Sequence, residues 1–279
     1  MFVAVRDVPV VAVYGDILSA LRDLELNSFE LCVDRDLSTP IGFSLSSSDG
    51  ISALRRFLES NEISICAILA KNDFSRPSLS GEVKYLLKVV KIAEALDVHI
   101  IRINPPMREV PGYTIRDYIS LTVSGVLEVL RASKDVHLAI ENHGVIGNNL
   151  NYVRNLLKEI TDQRFGVTLD TGNYYWYGYP VSIIYEIYEE LAPRVKHTHI
   201  KDATTERKLE LRRPREVRMT PIGKGDLDFN RILDMLHKAG YDGDLTLEDE
   251  SISPRDKESC KRVFKEDIVL LKGLLRRFS

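Results

Sequence analysis

Several things are scarce in this 279-residue sequence, and each scarcity removes a class of answer. Its 3 cysteines, Cys32, Cys66 and Cys260, are far apart, odd in number and in no C-x-x-C pair. Neither a disulfide framework nor a cysteine-rich zinc site is therefore expected. Lys and Arg number 38 against 41 Asp and Glu, a net charge of −3. Binding to nucleic acid through phosphate contacts needs a basic excess that is missing here. No run is long and apolar enough to span a bilayer, and MFVAVRDVPVVAVYG carries Arg6-Asp7 inside its apolar stretch without a basic leader. The expectation is a cytoplasmic protein with no membrane and no nucleic-acid partner. No glycine-rich phosphate turn follows the first apolar run, which argues against an open, doubly wound dinucleotide-binding sheet.

What is present is alternation. Short apolar, β-branched runs occur at Phe2–Val5, Phe29–Val33, Ser64–Ala70, His99–Ile103, His137–Glu141, Gly166–Asp170, Lys196–Ile200 and Leu245–Glu248. Their starts lie 27, 35, 35, 38, 29, 30 and 49 residues apart, close to the spacing of eight equal units in 279 residues. Each interval holds a strand, a helix and two loops. The helices carry their own punctuation. Thr114 and Asp117 have capping-box spacing before a helical stripe from Ile119 to Leu130. Pro180 stands where a first helical residue would be, Asp228 where an N-cap would be, and Gly240 where a helix would end. Ser253-Pro254 is expected to open the last helix. With 44% apolar residues for a core and no linker, the chain reads as α/β, one (β/α)8 TIM barrel domain over residues 1–279.

Strands buried on both faces should be almost wholly apolar, so polar residues within them carry information. Side chains alternate along a strand. Ala139, Glu141 and His143 share one face, as do Gly166, Thr168 and Asp170. So do Val195, His197, His199 and Lys201, and likewise Thr246, Glu248 and Glu250. In each set the charged residues fall at the C-terminal end, where barrel strands converge on the active-site mouth. Glu141, Asp170, His199 and Glu248 can then meet. Burying four such groups together costs several kcal/mol, roughly, unless a cation neutralises them. Three carboxylates and one imidazole make a hard site suited to one divalent metal ion, Mn²⁺ or Mg²⁺ first, with Zn²⁺ or Co²⁺ as alternatives. For any one of them, a hydrogen-bonded strand end is an equally good account.

The segments LAIENHG (138–144), VTLDTGN (167–173), VKHTHIKD (195–202), PIGKGDLDF (221–229) and AGYDGDLTLEDE (239–250) resemble the xylose isomerase-like barrel superfamily. That group holds sugar and sugar-phosphate isomerases and epimerases together with apurinic endonucleases. Glu30 after Phe29 is similar to the second strand of such proteins. The resemblance implies that Glu141, Asp170, His199 and Glu248 are the metal ligands. Two departures narrow it. The extra ligands of the three-metal endonucleases fall here on Asn173 and on Val217-Arg218-Met219, which argues against a trinuclear zinc site. The second glutamate of ketose 3-epimerases falls on Gly147.

The chemistry these residues allow is proton transfer next to a carbonyl, through an enediolate, in a sugar or sugar phosphate. A divalent ion acts as Lewis acid and template, and Glu141 or Glu248 serves as base. His143, Asn173, His197 and Lys201 are the candidate substrate contacts, with a structural role an alternative for His143 and the better account of His197. A metal-assisted lyase or dehydratase acting on a cyclic polyol or keto acid is the competing reading. An abasic-site endonuclease and a barrel that has lost turnover are weaker ones. Residues 174–179, YYWYGY, either stack on sugar C–H faces or pack a helix. The charged stretch 203–221 reads as a solvated hairpin more readily than as a lid whose Arg207, Arg213 or Arg218 holds a phosphate. A homo-oligomer is compatible with all of these readings.

Overall fold

A computed structural model describes residues 1–252 and 255–278. Along the chain the order is β1 (Phe2–Arg6), α1 (Asp7–Tyr14), α2 (Ile17–Asp23), β2 (Ser28–Val33), α3 (Ser48–Ser60), β3 (Ser64–Ala70), α4 (Leu79–Leu96), β4 (Ile100–Ile103), α5 (Ile115–Ala132) and β5 (His137–Glu141). There follow α6 (Gly144–Gly147), α7 (Leu150–Glu159), β6 (Phe165–Asp170), α8 (Asn173–Tyr177), α9 (Val181–Leu191), β7 (Val195–Ile200), β8 (Asp202–Thr204), β9 (Arg218–Thr220), α10 (Phe229–Lys238), β10 (Asp244–Leu247) and α11 (Lys257–Leu275). All eight apolar runs are strands, each within one residue of its expected ends. Hydrogen-bonded order runs β1-β10-β7-β6-β5-β4-β3-β2 and closes, the eight-stranded α/β barrel that the alternation requires.

The helix signals act as their chemistry dictates. Thr114 and Asp117 form a reciprocal capping box at the start of α5. Asp228 caps α10 by accepting from the amide of Arg231 at 3.2 Å. Pro180 sits one position earlier than expected, as the residue before α9, where its missing N–H and fixed φ are equally harmless. The expected opening at Ser253-Pro254 lies outside the described residues, and α11 is capped by Asp256, which accepts from Ser259.

The chain divides into two compact units, one of residues 1–29 with 169–279 and one of residues 30–168. Both boundaries fall inside strands, β2 and β6, not in linkers. In the first unit β1 pairs with β10 from Phe2↔Asp244 to Val5↔Leu247, and β10 pairs with β7 at Thr246↔His199. A small antiparallel hairpin, β8 with β9, adds Asp202↔Thr220 and Thr204↔Arg218. In the second unit β3 pairs with β4, β4 with β5 at Arg102↔Ala139, and β5 with β6 at Glu141↔Thr168. Ile184, Ile187, Tyr188 and Leu191 of α9 are buried in the first unit, and Leu86, Val89, Val90 and Ala93 of α4 in the second. Among the described residues no helix is long and apolar enough to cross a membrane.

Candidate metal-binding active site

In the first unit three strands end on polar residues. Asp170 is the last residue of β6, His199 lies on β7, and Glu248 follows β10 directly. The Thr246↔His199 register carries Glu248 level with the end of β7, where its amide donates to the carbonyl of Ile200 at 3.1 Å. Asp170, His199 and Glu248 each offer a ligand atom within 4.8 Å of the others. Their exposures are 0%, 0% and 6%, low enough that charge on them must be compensated locally. His199 Nδ1 lies 2.9 Å from Glu248 Oε2 and 3.9 Å from Asp170 Oδ2. Lys201 Nζ lies 3.0 Å from Asp170 Oδ2, 3.1 Å from Glu248 Oε2 and 2.8 Å from Glu250 Oε1. Arg6, at the end of β1, pairs with Glu248 Oε1.

The run Asp170-Thr-Gly-Asn173 divides its labour residue by residue. Asp170 Oδ1 accepts from the amides of Gly172 and Asn173, each at 2.9 Å, which fixes the plane of its carboxylate. Thr171 Oγ1 donates to the carbonyl of Lys201 at 2.7 Å and accepts from the Lys201 amide at 2.8 Å, sewing β6 to the end of β7. Tyr188 donates its hydroxyl to the Thr171 carbonyl from below. Position 172 is glycine because a Cβ there would lie 2.8 Å from the Cβ of Lys201. Asn173 is 7% exposed, and its Nδ2 finds no hydrogen-bond partner. A buried amide donor left open costs stability that a ligand oxygen would restore.

Two neighbours in the same motifs are occupied elsewhere. His197 is fully buried one rung deeper, with Nδ1 2.8 Å from Asp244 Oδ2 and its ring edge-on to that of His199 at 5.1 Å. Asp202 is a clamp. Its carboxylate accepts from the amides of Ala203, Gly223, Gly225 and Leu227 at 2.8–3.3 Å, drawing the PIGKGDL loop around it. Burial nevertheless outweighs those four donors and pushes its pKa up to about 6. Gly223 and Gly225 thus offer their amides to the chain's own carboxylate.

In the second unit Glu141 is the last residue of β5, 1% exposed. Arg102 of β4 and His143 Nδ1, the latter at 3.1 Å, both contact its Oε2. Arg102 is braced in turn by Asn104, whose amide donates to Asn72 Oδ1 at 2.9 Å. Gly147, six positions past Glu141, has no room for a longer side chain, because a Cβ would lie 2.6 Å from Pro105 Cγ.

The aromatic stretch is part buried and part open. Tyr174 and Tyr175 are wholly buried, whereas Trp176 and Tyr177 are partly exposed. In the charged stretch Arg207 is engaged by Glu210 at 2.8 Å and Glu216 at 3.3 Å, while Arg213 and Arg218 are exposed. Sequence reasoning passed over Arg6 and Arg102, and placed Glu250 on the inward face without giving it a role. The signal for the two arginines was available: each is a charged residue near the C-terminal end of an otherwise apolar strand, the same mark that singled out Glu141 and Asp170.

Carboxylate oxygens and an imidazole, buried and mutually within reach, fit a divalent cation of the harder kind. Lys201 lies against two of the same oxygens, so part of the compensation is built into the chain.

The chain matches the xylose isomerase-like TIM barrel family over residues 18–268. Inosose dehydratase of Histophilus somni is 24% identical over 248 residues, covering 80% of this chain and 83% of that protein. A solved structure of an IolI protein with a bound zinc atom superposes with a TM-score of 0.76 at 14% identity, covering 100% of this chain and 99% of that one. A D-tagatose 3-epimerase-like protein superposes with a TM-score of 0.70 at 19% identity, covering both chains in full. Both structural likenesses are likenesses of fold.

Proposed function

Because the chain belongs to the xylose isomerase-like TIM barrel family, we propose that it is a divalent-metal-dependent isomerase or epimerase of a small sugar or sugar phosphate. The observation that carries this reading is the buried set Asp170, His199 and Glu248, with ligand atoms within 4.8 Å of one another at strand ends. Glu141 is the fourth ligand in this reading, since its strand pairs with β6 one alternation step before Asp170. The cation, when bound, supplies Lewis acidity toward a carbonyl and its neighbouring hydroxyl. Mg²⁺ and Mn²⁺ suit the oxygen-rich set, with Zn²⁺ or Co²⁺ as alternatives.

The chain's own residues do the rest. Glu141 or Glu248 takes the proton from the carbon beside the carbonyl, and the other carboxylate or a bound water returns it. Asn173 Nδ2 and Lys201 Nζ donate to substrate oxygens, and His143, the more exposed of the pair beside Glu141, reaches a hydroxyl. His197, committed to Asp244, supports His199 from beneath and has no direct role in this reading. Residues 1–279 act as one domain here, since neither unit boundary is a linker.

One observation favours a second reading, dehydration of a cyclic polyol or keto acid. Gly147 has no space for the glutamate that 3-epimerases carry there, and inosose dehydratase is among the relatives. Both reactions begin with the same proton abstraction. Screening ketoses, aldoses, their phosphates and inososes by NMR in D₂O separates them. Deuterium beside the carbonyl with every hydroxyl kept marks isomerisation, and a deoxy-ketone, one water lighter, marks dehydration. Absence of exchange in every substrate with metal-loaded protein refutes both.

A further inference from the structure

Arg212 lies in the charged hairpin between β8 and β9, yet it is 9% exposed. Its guanidinium donates to the carbonyls of Tyr175 at 3.1 Å and Tyr179 at 2.9 Å, and lies 4.3 Å from the centre of the Tyr175 ring. Its amide donates to the carbonyl of Gly178 at 2.9 Å. Gly178 holds φ +118°, and a Cβ there would fall 2.1 Å from the Arg212 carbonyl oxygen, so the two backbones are in contact. Further ties run the same way. Tyr175 donates its hydroxyl to Asp226 at 2.8 Å, Asp226 accepts from the Thr205 amide at 2.9 Å, and the Val181 amide donates to the Lys208 carbonyl at 2.9 Å. The amide of Arg215, held at φ +75°, donates to the carbonyl of Trp176 at 2.8 Å.

These contacts converge on α8, a helix of five residues. A helix that short has no stability of its own, so its position is set by what grips it. At its C-terminal end the grip is Arg212. At its N-terminal end the amides of Gly172 and Asn173 hold Asp170 Oδ1. Asp170 is therefore aimed by a segment whose other end is fastened to the hairpin.

We propose that Arg212 is a positioning residue for the cation site: by fixing α8 it fixes the carboxylate of Asp170, and filling the site is felt in the hairpin. The proposal rests on the metal reading above. Nη2 meets both tyrosine carbonyls while Nη1 reaches the carbonyl of Glu216 at 3.4 Å and the guanidinium plane covers a ring, a fork that lysine cannot replace, so a charge alone does not suffice. Groups that orient a ligand govern affinity as well as geometry, with losses of about 10–100-fold when they are removed.

The molecule carries its own reporter. Trp176 is its single tryptophan, and it sits on α8 between the two grips. The full chain is titrated with Zn²⁺ and, separately, Mg²⁺, following Trp176 emission and counting bound metal by dialysis. The variants are Arg212→Lys, Arg212→Ala and Asp170→Asn, with Tyr175→Phe as a milder cut that spares the packing. The expected result is a saturable emission change in the unaltered chain at about one metal per chain. Both Arg212 variants should bind at least tenfold more weakly with that change lost, at unaltered circular dichroism, and Tyr175→Phe should lose less in the same direction. Arg212 variants that melt earlier but bind metal with unaltered affinity and emission overturn the proposal, and metal lost only in Asp170→Asn leaves the metal reading standing. An unaltered chain that binds neither ion overturns both.

Discussion

Lys201 places one ammonium against Asp170, Glu248 and Glu250 at 1% exposure, so removing it strips charge compensation from a buried cluster. Lys201→Met should lower the melting temperature of metal-free protein and enlarge the rise produced by adding Zn²⁺, as scanning calorimetry with and without chelator will report. The proposed proton transfer has its own signature. Glu248→Asp keeps the charge but withdraws the carboxylate by about one C–C bond, and a misplacement of about 1 Å can cost ~10²-fold in rate. Turnover should fall by about that factor with metal content retained, measured by deuterium wash-in beside elemental analysis. Deuterium exchange at the rate of the unaltered protein in both Glu248→Asp and Glu141→Asp, with metal kept, would make both glutamates ligands only. The three carboxylates and His199 were legible because a charge on a doubly buried strand is conspicuous. Arg6 and Arg102 bore the same mark, but nothing local announces that the partner of each stands on another strand.

At the scale of elements the strands were legible to within a residue, since β-branched runs flanked by caps leave little choice. The charged stretch 203–221 read as a hairpin, which it is, but its two strands and the burial of Arg212 were not legible. β8 and β9 are three residues each, with Arg, Thr and Asp among them, and their pairing is set by the Asp202 clamp and by the docking of Arg212, both long-range. YYWYGY could not be resolved from its composition, because its aromatics divide: Tyr174 and Tyr175 are buried while Trp176 and Tyr177 stay partly exposed. The capping box of α5 offers a direct test of local energetics. Thr114→Ala removes the side-chain acceptor for the Asp117 amide and should cost about 1 kcal/mol, within the range for lost N-caps, read from denaturant midpoints at unchanged slope.

For the whole molecule, two buried acids shape stability against pH. Burial and the neighbouring charge of Asp249 push Asp267 up to about 9, and the two carboxyls share a hydrogen bond. Asp267 Oδ1 also accepts from the Ile222 amide at 2.9 Å. Both Asp267 and Asp202 have folded pKa values above the ordinary 3.8. The unfolded chain then releases protons first, so each acid withdraws stability as pH rises, Asp202 between about 4 and 6 and Asp267 between about 4 and 9. Asp267→Asn removes the titration and keeps a donor toward Asp249. Its melting temperature should gain on that of the unaltered protein as pH rises from 5 to 8, and parallel curves would refute the assignment. Below pH 4 the trend itself reverses in both proteins and stability falls with pH, because Asp73 and Asp226, held low by backbone amides and hydroxyl partners, must then be protonated.

The clamp at Asp202 has a kinetic corollary. Four amides closed on one carboxylate meet solvent deuterium only when the loop lifts, and lifting returns Asp202 to water, where it is a stronger acid than in the closed turn. Raising the pH from 5 to 7 should therefore erode the exchange protection factors of Gly223, Gly225 and Leu227, while amides in the middle of β7 hold theirs. The PIGKGDL turn would then breathe while the strands beside it stay shut, an opening event confined to one loop and timed by a single proton.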